Sequence, residues 1–273
     1  MDVITKMQDL TYLEWTKTRH SSGTAGSFLK AQENIRGNKY YYKLSNYDVV
    51  QGIIGHECVN EILVDRLLTE LNIPHLSYQL LKAKILIKGK ELETYLCRSR
   101  DFKVKGDSKI ALDVFYDMEA LEDESPLDFC LRMGFGNYIW QMLLVDYLIL
   151  NRDRHGANIE ILKNRYTKAI YPAPLFDHGV SLLFQCKSTN EIMKADPLED
   201  KKIQCFVGSN SSFDNLRLIP AEHRIALPVF DTELKERLFF RLDDVMGDIW
   251  VEYVWKFLKM RAEAYEDFCN KKS

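Results

Sequence analysis

An almost wholly apolar stretch, Tyr138 to Leu150, leads directly into a polar turn, Asn151 to Asn158, with the sequence NRDRHGAN. The apolar run predicts a helix over Gly136 to Leu150. The turn that follows it carries Asp153 and Asn158, five residues apart. A chain with this arrangement must bury the helix while presenting the turn at an edge of its core.

A short hairpin is predicted next, over Ile159 to Leu162 and Lys168 to Tyr171, and it leads to the sequence LFDHG, which contains Asp177. Singly, Asp and Asn are common in turns. Together, two carboxylates and one amide are the oxygen ligands that Mg²⁺ prefers beside nucleotide phosphates. In this order they favour phosphoryl transfer, with Asp153 accepting the acceptor hydroxyl proton and Asn158 and Asp177 holding the metal.

Residues 20–55 are predicted to be mostly β structure. A strand over Ser27 to Ala31, a turn at Arg36-Gly37-Asn38 and a strand over Lys39 to Leu44 form a hairpin. The small-residue turn HSSGTAG precedes it, and its backbone N–H groups are suited to cradling phosphates. On its own this signal is weak. The candidate phosphate-loop residues are Ser22, Gly23, Thr24, Ala25, Gly26 and Ser27.

Lys43 lies in the middle of the predicted strand YYYKLS and is either a solvated lysine or a ligand of nucleotide phosphates. A phosphate-binding lysine needs a carboxylate to orient it, supplied by a following helix. Apolar residues at helical spacing predict such a helix over 56–72, ended by Pro74. It carries Glu57 and Glu61. Glu61 is the preferred partner of Lys43 and Glu57 the alternative.

Two further strands are predicted over Ser77 to Ile87 and Glu91 to Arg98, joined by a turn at Lys88-Gly89-Lys90, and then a polar linker over Arg98 to Gly106. The rest is predicted to be mainly helical, at Leu127 to Leu131 and over 231–268, with an irregular region over 186–215. The fold class is therefore α+β. A small β-rich N-lobe (1–100) and a larger helical C-lobe (101–273) would form a cleft, where ligand sites usually lie.

The motif DRHGAN followed by LFDHG resembles the catalytic and metal-binding loops of the HipA-like kinases and of the related phosphoinositide-kinase branch. The spacing of Asp153 and Asn158 also equals that of the protein-kinase catalytic loop. An Asn-Glu pair, Asn60-Glu61, opens a helix that ends in a leucine-rich turn and Pro74, as in the HipA-like pattern. The resemblance covers about residues 20–220 and is closest to the compact stand-alone members of the family.

The resemblance implies a bilobal protein-kinase-like fold that binds ATP and Mg²⁺ and phosphorylates serine or threonine, including its own. By similarity, the adenine would lie near Cys97 to Arg100, which makes Arg98 and Ser99 nucleotide-binding candidates. His155 is a further candidate, although a structural role, bonding loop backbone or Asp177, is favoured. Ser21, Ser22, Thr24 and Ser27, in or next to the phosphate loop, are candidate autophosphorylation sites, because a phosphate there would repel ATP.

The same resemblance suggests toxin–antitoxin partners: an aminoacyl-tRNA synthetase or other translation protein as substrate, and an antitoxin. Two alternatives stay open. One is a kinase of a lipid head group or small molecule, and the other is a pseudokinase that binds nucleotide and acts as an interaction protein. The presence of all five required groups (Lys43, Glu61, Asp153, Asn158 and Asp177) weighs against a pseudokinase.

Composition excludes several other classes. The chain has 37 Lys and Arg against 40 Asp and Glu, so a net charge of −3, which argues against direct nucleic-acid binding. No signal peptide, membrane span or zinc-type cysteine spacing is present in this sequence. The six cysteines are predicted to be free thiols. We therefore expect a cytoplasmic protein without membrane contact, with export by a non-classical route left open.

Overall fold

The computed structural model describes residues 2–18 and 25–271. The first hundred residues are mostly strands around one helix. The elements are β1 (Val3–Asp9), β2 (Thr16–Thr18), β3 (Ala25–Ile35), β4 (Asn38–Leu44), β5 (Tyr47–Asp48), β6 (Gly52–Ile53), α1 (Glu57–Glu70), β7 (Tyr78–Ile87) and β8 (Lys90–Arg100).

Six of these strands form one sheet in the order β1-β7-β8-β4-β3-β2. Two tight hairpins set its register. In the β3–β4 hairpin, Ile35 pairs with Asn38 around Arg36 and Gly37, which both have positive φ. Lys88 and Gly89 make the equivalent turn between β7 and β8. Two-residue turns with both φ values positive match the right-handed twist of paired strands.

The two faces of the sheet are covered by different parts of the chain. On one face, Leu80 and Cys97 join a large apolar core that includes α1 and the helices of the second half. On the other, Leu44 and Leu96 pack with Leu10 of the segment after β1. Because both faces are buried, β4 reads as a continuous run of large residues rather than an alternating one.

Helix α1 is buried around nearly its whole circumference, polar residues included. Glu57, Asn60 and Glu61 are as inaccessible as the leucines of the same helix. It ends at Leu71, after which Asn72 has a positive φ and Pro74 prevents continuation. Burial of three polar side chains on one helix requires partners for each of them. Those partners come from both halves of the chain: Glu57 and Glu61 have partners in the first half, and Asn60 and Glu61 in the second.

The second half is predominantly helical around two small sheets. Its longest helices are α4 and α9, which pack on each other through the main core. The elements are β9 (Asp107–Ala111), α2 (Leu112–Glu119), α3 (Pro126–Arg132), α4 (Gly136–Ile149), β10 (Asp153–Arg154), β11 (Glu160–Asn164), β12 (Ile170–Pro172), α5 (Thr189–Lys194), β13 (Gln204–Cys205), α6 (Ser212–Arg217), α7 (Thr232–Phe239), α8 (Asp243–Met246) and α9 (Asp248–Asn270).

The predicted fold class, with a β-rich first part and a helical second part, is confirmed. Three local predictions need correction. Arg98 to Arg100 belong to β8, because Arg98 and Ser99 pair with both β4 and β7, so the polar linker starts later than expected. The region 186–215 is not simply irregular but contains α5, β13 and α6. The strand β1 was not expected at all.

All six cysteines lie in the described part of the chain and are free thiols. Among the described residues, none of the helices is long and apolar enough to cross a membrane.

Candidate active site

Lys43, on β4, occupies the centre of a buried charge cluster. Its Nζ lies 2.7 Å from Glu61 Oε1 of α1 and 2.5 Å from Asp177 Oδ1. Burial alone would lower the pKa of Lys43, but the charges of Asp177 and Glu61 outweigh it and hold the pKa well above its usual value. Lys43 therefore stays protonated, and it presents a fixed positive charge beside a carboxylate from each half of the chain.

Glu61, rather than Glu57, is the partner of Lys43. The Oε2 atom of Glu57 instead accepts a hydrogen bond of 3.1 Å from the backbone N–H of Asn46. The other oxygen of Glu61, Oε2, accepts a bond of 2.9 Å from the N–H of His178. One carboxylate thus fixes both the lysine and the backbone next to Asp177.

The segment around Asp177 is held against α1 and β7 by hydrogen bonds between their side chains and its backbone. Asn60 Nδ2 donates to Gly179 O and Ser181 O, both at 3.1 Å. The N–H of Asp177 donates to Tyr78 Oη at 3.3 Å. Asp177 has a φ of +60°, which is uncommon for a residue with a side chain and costs free energy unless its surroundings enforce it. These bonds supply that enforcement.

The turn that carries Asp153 begins where α4 ends. Leu150 closes α4 in the left-handed conformation, with a φ of +49°. Asn158 Nδ2 then donates to Asp153 O at 2.7 Å and approaches Asp153 Oδ2 at 3.5 Å. The turn therefore brings the two residues together, as their spacing predicts, and the first of these bonds fixes the orientation of the Asn158 amide.

Arg154 connects this turn to the Asp177 segment. Its Nη1 donates to Asn158 O at 3.2 Å and to Phe176 O at 3.1 Å. Its Nε and Nη2 each bind one oxygen of Asp146, both at 2.8 Å. Arg154 is fully buried and Asp146 is 5% exposed. Asp146, a charged residue within the apolar helix α4, therefore supports the loop from a buried position.

His178 is fully buried between Asp177 and Gly179. Burial, and secondarily the charge of Arg154, lowers the pKa of His178 well below its ordinary value, so the imidazole is neutral. A neutral ring here adds no positive charge to compete with Lys43. His178, the middle residue of the Asp177-His178-Gly179 motif, is thus part of the buried core.

His155 approaches Asp153, at 3.5 Å from its Nε2 to Asp153 Oδ1, rather than Asp177 as expected. Ser99 of β8 pairs with Tyr41 of β4, and Tyr41 lies two residues before Lys43 on the same strand. Ser99 therefore lies on the same face of the sheet as Lys43. Arg98 lies on the opposite face, where it covers the Tyr40 ring and binds Gln79. Its side chain is therefore not brought to Lys43, and only its backbone remains for the nucleotide-binding role expected of it.

The candidate phosphate loop falls largely outside the described residues. Ser22, Gly23 and Thr24 are not described. Ala25, Gly26 and Ser27 form the start of β3. The strand leads on to Phe28, whose ring lies 5.1 Å from Lys43 Nζ. The loop is thus followed by a strand directly beside Lys43.

The donor set suits a magnesium ion that is shared with phosphates. Asp177 and Asn158 supply hard oxygen atoms, and Arg154 ties the two backbone segments that carry them. Among residues 2–18 and 25–271, no group of three or more His, Cys, Asp or Glu side chains forms a complete metal site. Mg²⁺ in phosphoryl-transfer sites is typically held by one or two carboxylates and the substrate phosphates, so the residues fit that role.

Sequence reasoning missed several contributors to this site. Asn60 was noted only as part of a motif, and Tyr78 and Arg154 were given no role. Each is a polar side chain in an apolar or motif-bearing segment, and each bonds to backbone far away in the sequence. A polar residue in a predicted core element is the signal that points to Asn60 and Tyr78, whereas Arg154, in a polar turn, carries no such signal.

No family model matches the chain, and no curated protein matches it. Among solved structures, it is similar to the Helicobacter pylori proinflammatory kinase CtkA, at 15% identity and a TM-score of 0.61, over 96% of this chain and 98% of that one. HipA of Shewanella oneidensis MR-1, solved as a toxin–antitoxin complex with HipB and operator DNA, also matches, at 16% identity and a TM-score of 0.46, over 94% of this chain and 67% of that one. The predicted resemblance is thus confirmed at the level of the fold: this chain has the fold of the kinase CtkA.

Proposed function

We propose that the protein is an ATP- and Mg²⁺-dependent protein serine/threonine kinase. The observation that carries the proposal is the convergence of Lys43, Glu61 and Asp177 next to the turn that bears Asp153 and Asn158. A phosphoryl-transfer enzyme needs these five groups and little else, because the reaction depends on positioning and on charge neutralisation. The kinase fold of CtkA supports the proposal.

In this proposal, Lys43 binds the phosphates of ATP, and Glu61 orients Lys43. Asp153 orients the acceptor hydroxyl and accepts its proton. Asn158 and Asp177 hold Mg²⁺, which, when bound, neutralises charge on the transferred phosphoryl group. His155, at 3.5 Å from Asp153, helps to fix the position of that carboxylate.

ATP would bind between an N-lobe (1–100) and a C-lobe (101–273). Its phosphates would lie under the loop of Ser22 to Ser27, and its adenine near Ser99 and the backbone of Arg98. The position of Ser99 on the Lys43 face supports this orientation. Ser21, Ser22, Thr24 and Ser27 remain the predicted autophosphorylation sites.

The substrate class and the partners are predictions that follow from the family resemblance alone. They comprise a protein substrate, with a translation protein such as an aminoacyl-tRNA synthetase as one example, and an antitoxin. Cytoplasmic localisation and the lack of direct contact with nucleic acid or membrane are also predictions, and they follow from the composition and charge of the sequence.

The test is the intact mass of the purified protein after incubation with Mg²⁺ and ATP, beside Asp153→Asn and Asp177→Asn. A gain of phosphate-sized increments in the wild type only is the expected result. Nucleotide binding without any gain, even when candidate protein substrates are added, would instead support the pseudokinase alternative. The starting mass shows whether the protein was already phosphorylated when purified.

A further inference from the structure

A second lysine, Lys30, lies beside Lys43 on the same face of the sheet. In the β3–β4 pairing, Lys30 is directly opposite Lys43. Its Nζ lies 3.8 Å from Asp177 Oδ2, while Lys43 Nζ contacts Asp177 Oδ1. Two ammonium groups from neighbouring strands thus converge on the two oxygens of one carboxylate.

This placement is unfavourable for folding alone. Like charges directly opposite each other on paired strands repel and destabilise the sheet. Surface strands usually avoid such pairs, yet here one member is buried and the other has a side chain 32% exposed. The pair is tolerated because Asp177, from the second half of the chain, lies between the two cations. Because the two lysines depend on an anionic group from outside the sheet, the same position is also suited to a larger anion.

The charge count of the cluster gives Lys30 a specific role. Lys43, Glu61 and Asp177 together carry one net negative charge, and Asp153 adds another. A cluster with that balance attracts a divalent cation but repels a polyphosphate. Lys30 restores neutrality around Lys43, Glu61 and Asp177, so the phosphates meet a site that no longer repels them.

We propose that Lys30 is a second phosphate-binding residue, which contacts the β- and γ-phosphate end of ATP from strand β3. The inference rests on the proposed function, since it assumes a nucleotide in this cleft. The β–γ end is specified because Lys30 reaches Asp177, and a metal held by Asp177 would neutralise charge at that end of the nucleotide. Partial exposure leaves the Lys30 side chain able to move from Asp177 to a phosphate when a metal occupies the carboxylate.

The test is a calorimetric titration of ATP, ADP and AMP, with Mg²⁺ present, into wild type, Lys30→Gln and Lys30→Arg. We expect Lys30→Gln to weaken ATP binding by about tenfold, equal to about 1.4 kcal/mol. AMP binding should change by less than about twofold, because AMP lacks the phosphates concerned. Lys30→Arg keeps the charge and should stay within about threefold of wild type for ATP.

Lys84→Gln is the matched control. Lys84 lies on β7 of the same sheet, where it pairs with Glu91 at 2.6 Å, and its loss should leave all three affinities unchanged. Equal weakening of ATP and AMP by Lys30→Gln would overturn the inference in favour of a general structural role, and unchanged ATP binding would overturn it outright. Failure of the folded wild type to bind any of the three nucleotides would instead refute the proposed function itself.

Discussion

The buried charged side chains at this site form ion pairs, so the loss of one member leaves the charge of the other buried without its partner. Arg154 is fully buried and binds Asp146 through two parallel hydrogen bonds. Such a pair contributes little net stability compared with apolar residues of the same volume, because both charges lose their hydration. Its presence beside the Asp153 turn is therefore explained better by positioning than by stability.

Removal of one partner should be far more harmful than removal of both. We expect Arg154→Met to lower the free energy of unfolding by about 3–5 kcal/mol, because it leaves Asp146 charged and buried. The double variant Arg154→Met/Asp146→Leu should recover much of that loss. Urea denaturation of the two variants measures both effects.

Phosphate transfer should stay low in the double variant even where stability recovers, since Asn158 O and Phe176 O still lack their donor. A double variant as active as the wild type would show that Arg154 does not position the loop. A single variant within about 1 kcal/mol of wild type would contradict the account of the buried charge.

The residues proposed to perform the chemistry could be named from the sequence, whereas most of those that hold them could not. Asp153 and Asn158 have a fixed spacing along the chain, and the structure brings them into contact. Arg154, in contrast, stands in a polar turn that looks solvated. Its burial depends on Asp146 and on Phe176, which the sequence does not connect to it.

At the level of elements, the geometry of the candidate active site depends on how the loops pack on their neighbours. Gly156, in the turn between β10 and β11, lies against the start of α2. A Cβ at this position would lie 2.5 Å from Asp113 Cβ and 2.9 Å from Asp113 N. Because the latter atom is backbone, the clash cannot be relieved by a side-chain rotation alone.

Gly156→Ala should therefore lower the free energy of unfolding by about 1–3 kcal/mol. Gly136→Ala is the control, because a Cβ at Gly136 would meet only flexible side-chain atoms, the nearest being Leu131 Cδ2 at 3.2 Å. Thermal denaturation of both variants is the measurement. Equal melting temperatures for the two would show that α2 does not restrain the turn.

The end of α1 contains an ion pair that should make stability depend on pH. His75 Nε2 lies 2.8 Å from Asp65 Oδ1, and His75 Nδ1 lies 2.7 Å from Ile73 O. Burial acts to lower the pKa of His75, but the bonds to Asp65 and Ile73 outweigh it, so the folded pKa lies above the ordinary 6.5. The protonated ring therefore stabilises the fold below the unfolded pKa, and this contribution is lost as the pH rises through the folded pKa.

We expect the free energy of unfolding of the wild type, relative to His75→Gln, to be larger at about pH 5.5 than at about pH 8.5. Chemical denaturation at both values measures the difference. If the free energies of unfolding of the wild type and His75→Gln change equally across this range, His75 does not contribute the expected pH dependence.

The elements that the sequence predicted well are those whose pattern is local. The two β-hairpins were found from their turns at Arg36-Gly37 and Lys88-Gly89, and α1 and α4 from their apolar periodicity. Strand β1 was missed because it pairs in parallel with β7, a partner far along the chain, and leaves most of its own residues partly exposed. Helix α2 was missed because only two of its eight residues are buried.

At the scale of the whole molecule, the C-terminal helices hold the helix that carries Glu61. Arg66 of α1 donates through Nη1 to Leu238 O and Phe240 O, at 2.7 and 2.9 Å, and through Nε to Asp2 at 2.6 Å. A single side chain thus links β1, α1 and the end of α7. The position of Glu61 therefore depends on contacts more than 170 residues apart in the chain.

Arg66→Ala should lower the free energy of unfolding by about 1.5–3 kcal/mol, because three charge-assisted hydrogen bonds are lost. Arg237→Ala removes the neighbouring exposed pair between Arg237 and Glu70 and should cost much less than Arg66→Ala, because solvent screens that pair. Urea denaturation compares the two. Equal losses would mean that Arg66 is only another surface contact.

In the proposed mechanism, Asp153 acts on the acceptor hydroxyl, and other residues bind Mg·ATP. The most direct test measures two quantities for wild type and Asp153→Asn: the affinity for Mg·ATP and the initial rate of phosphate transfer at saturating nucleotide. For Asp153→Asn we expect an affinity within about threefold of wild type and a rate at least about a hundredfold lower. Transfer by Asp153→Asn at the wild-type rate would contradict this mechanism.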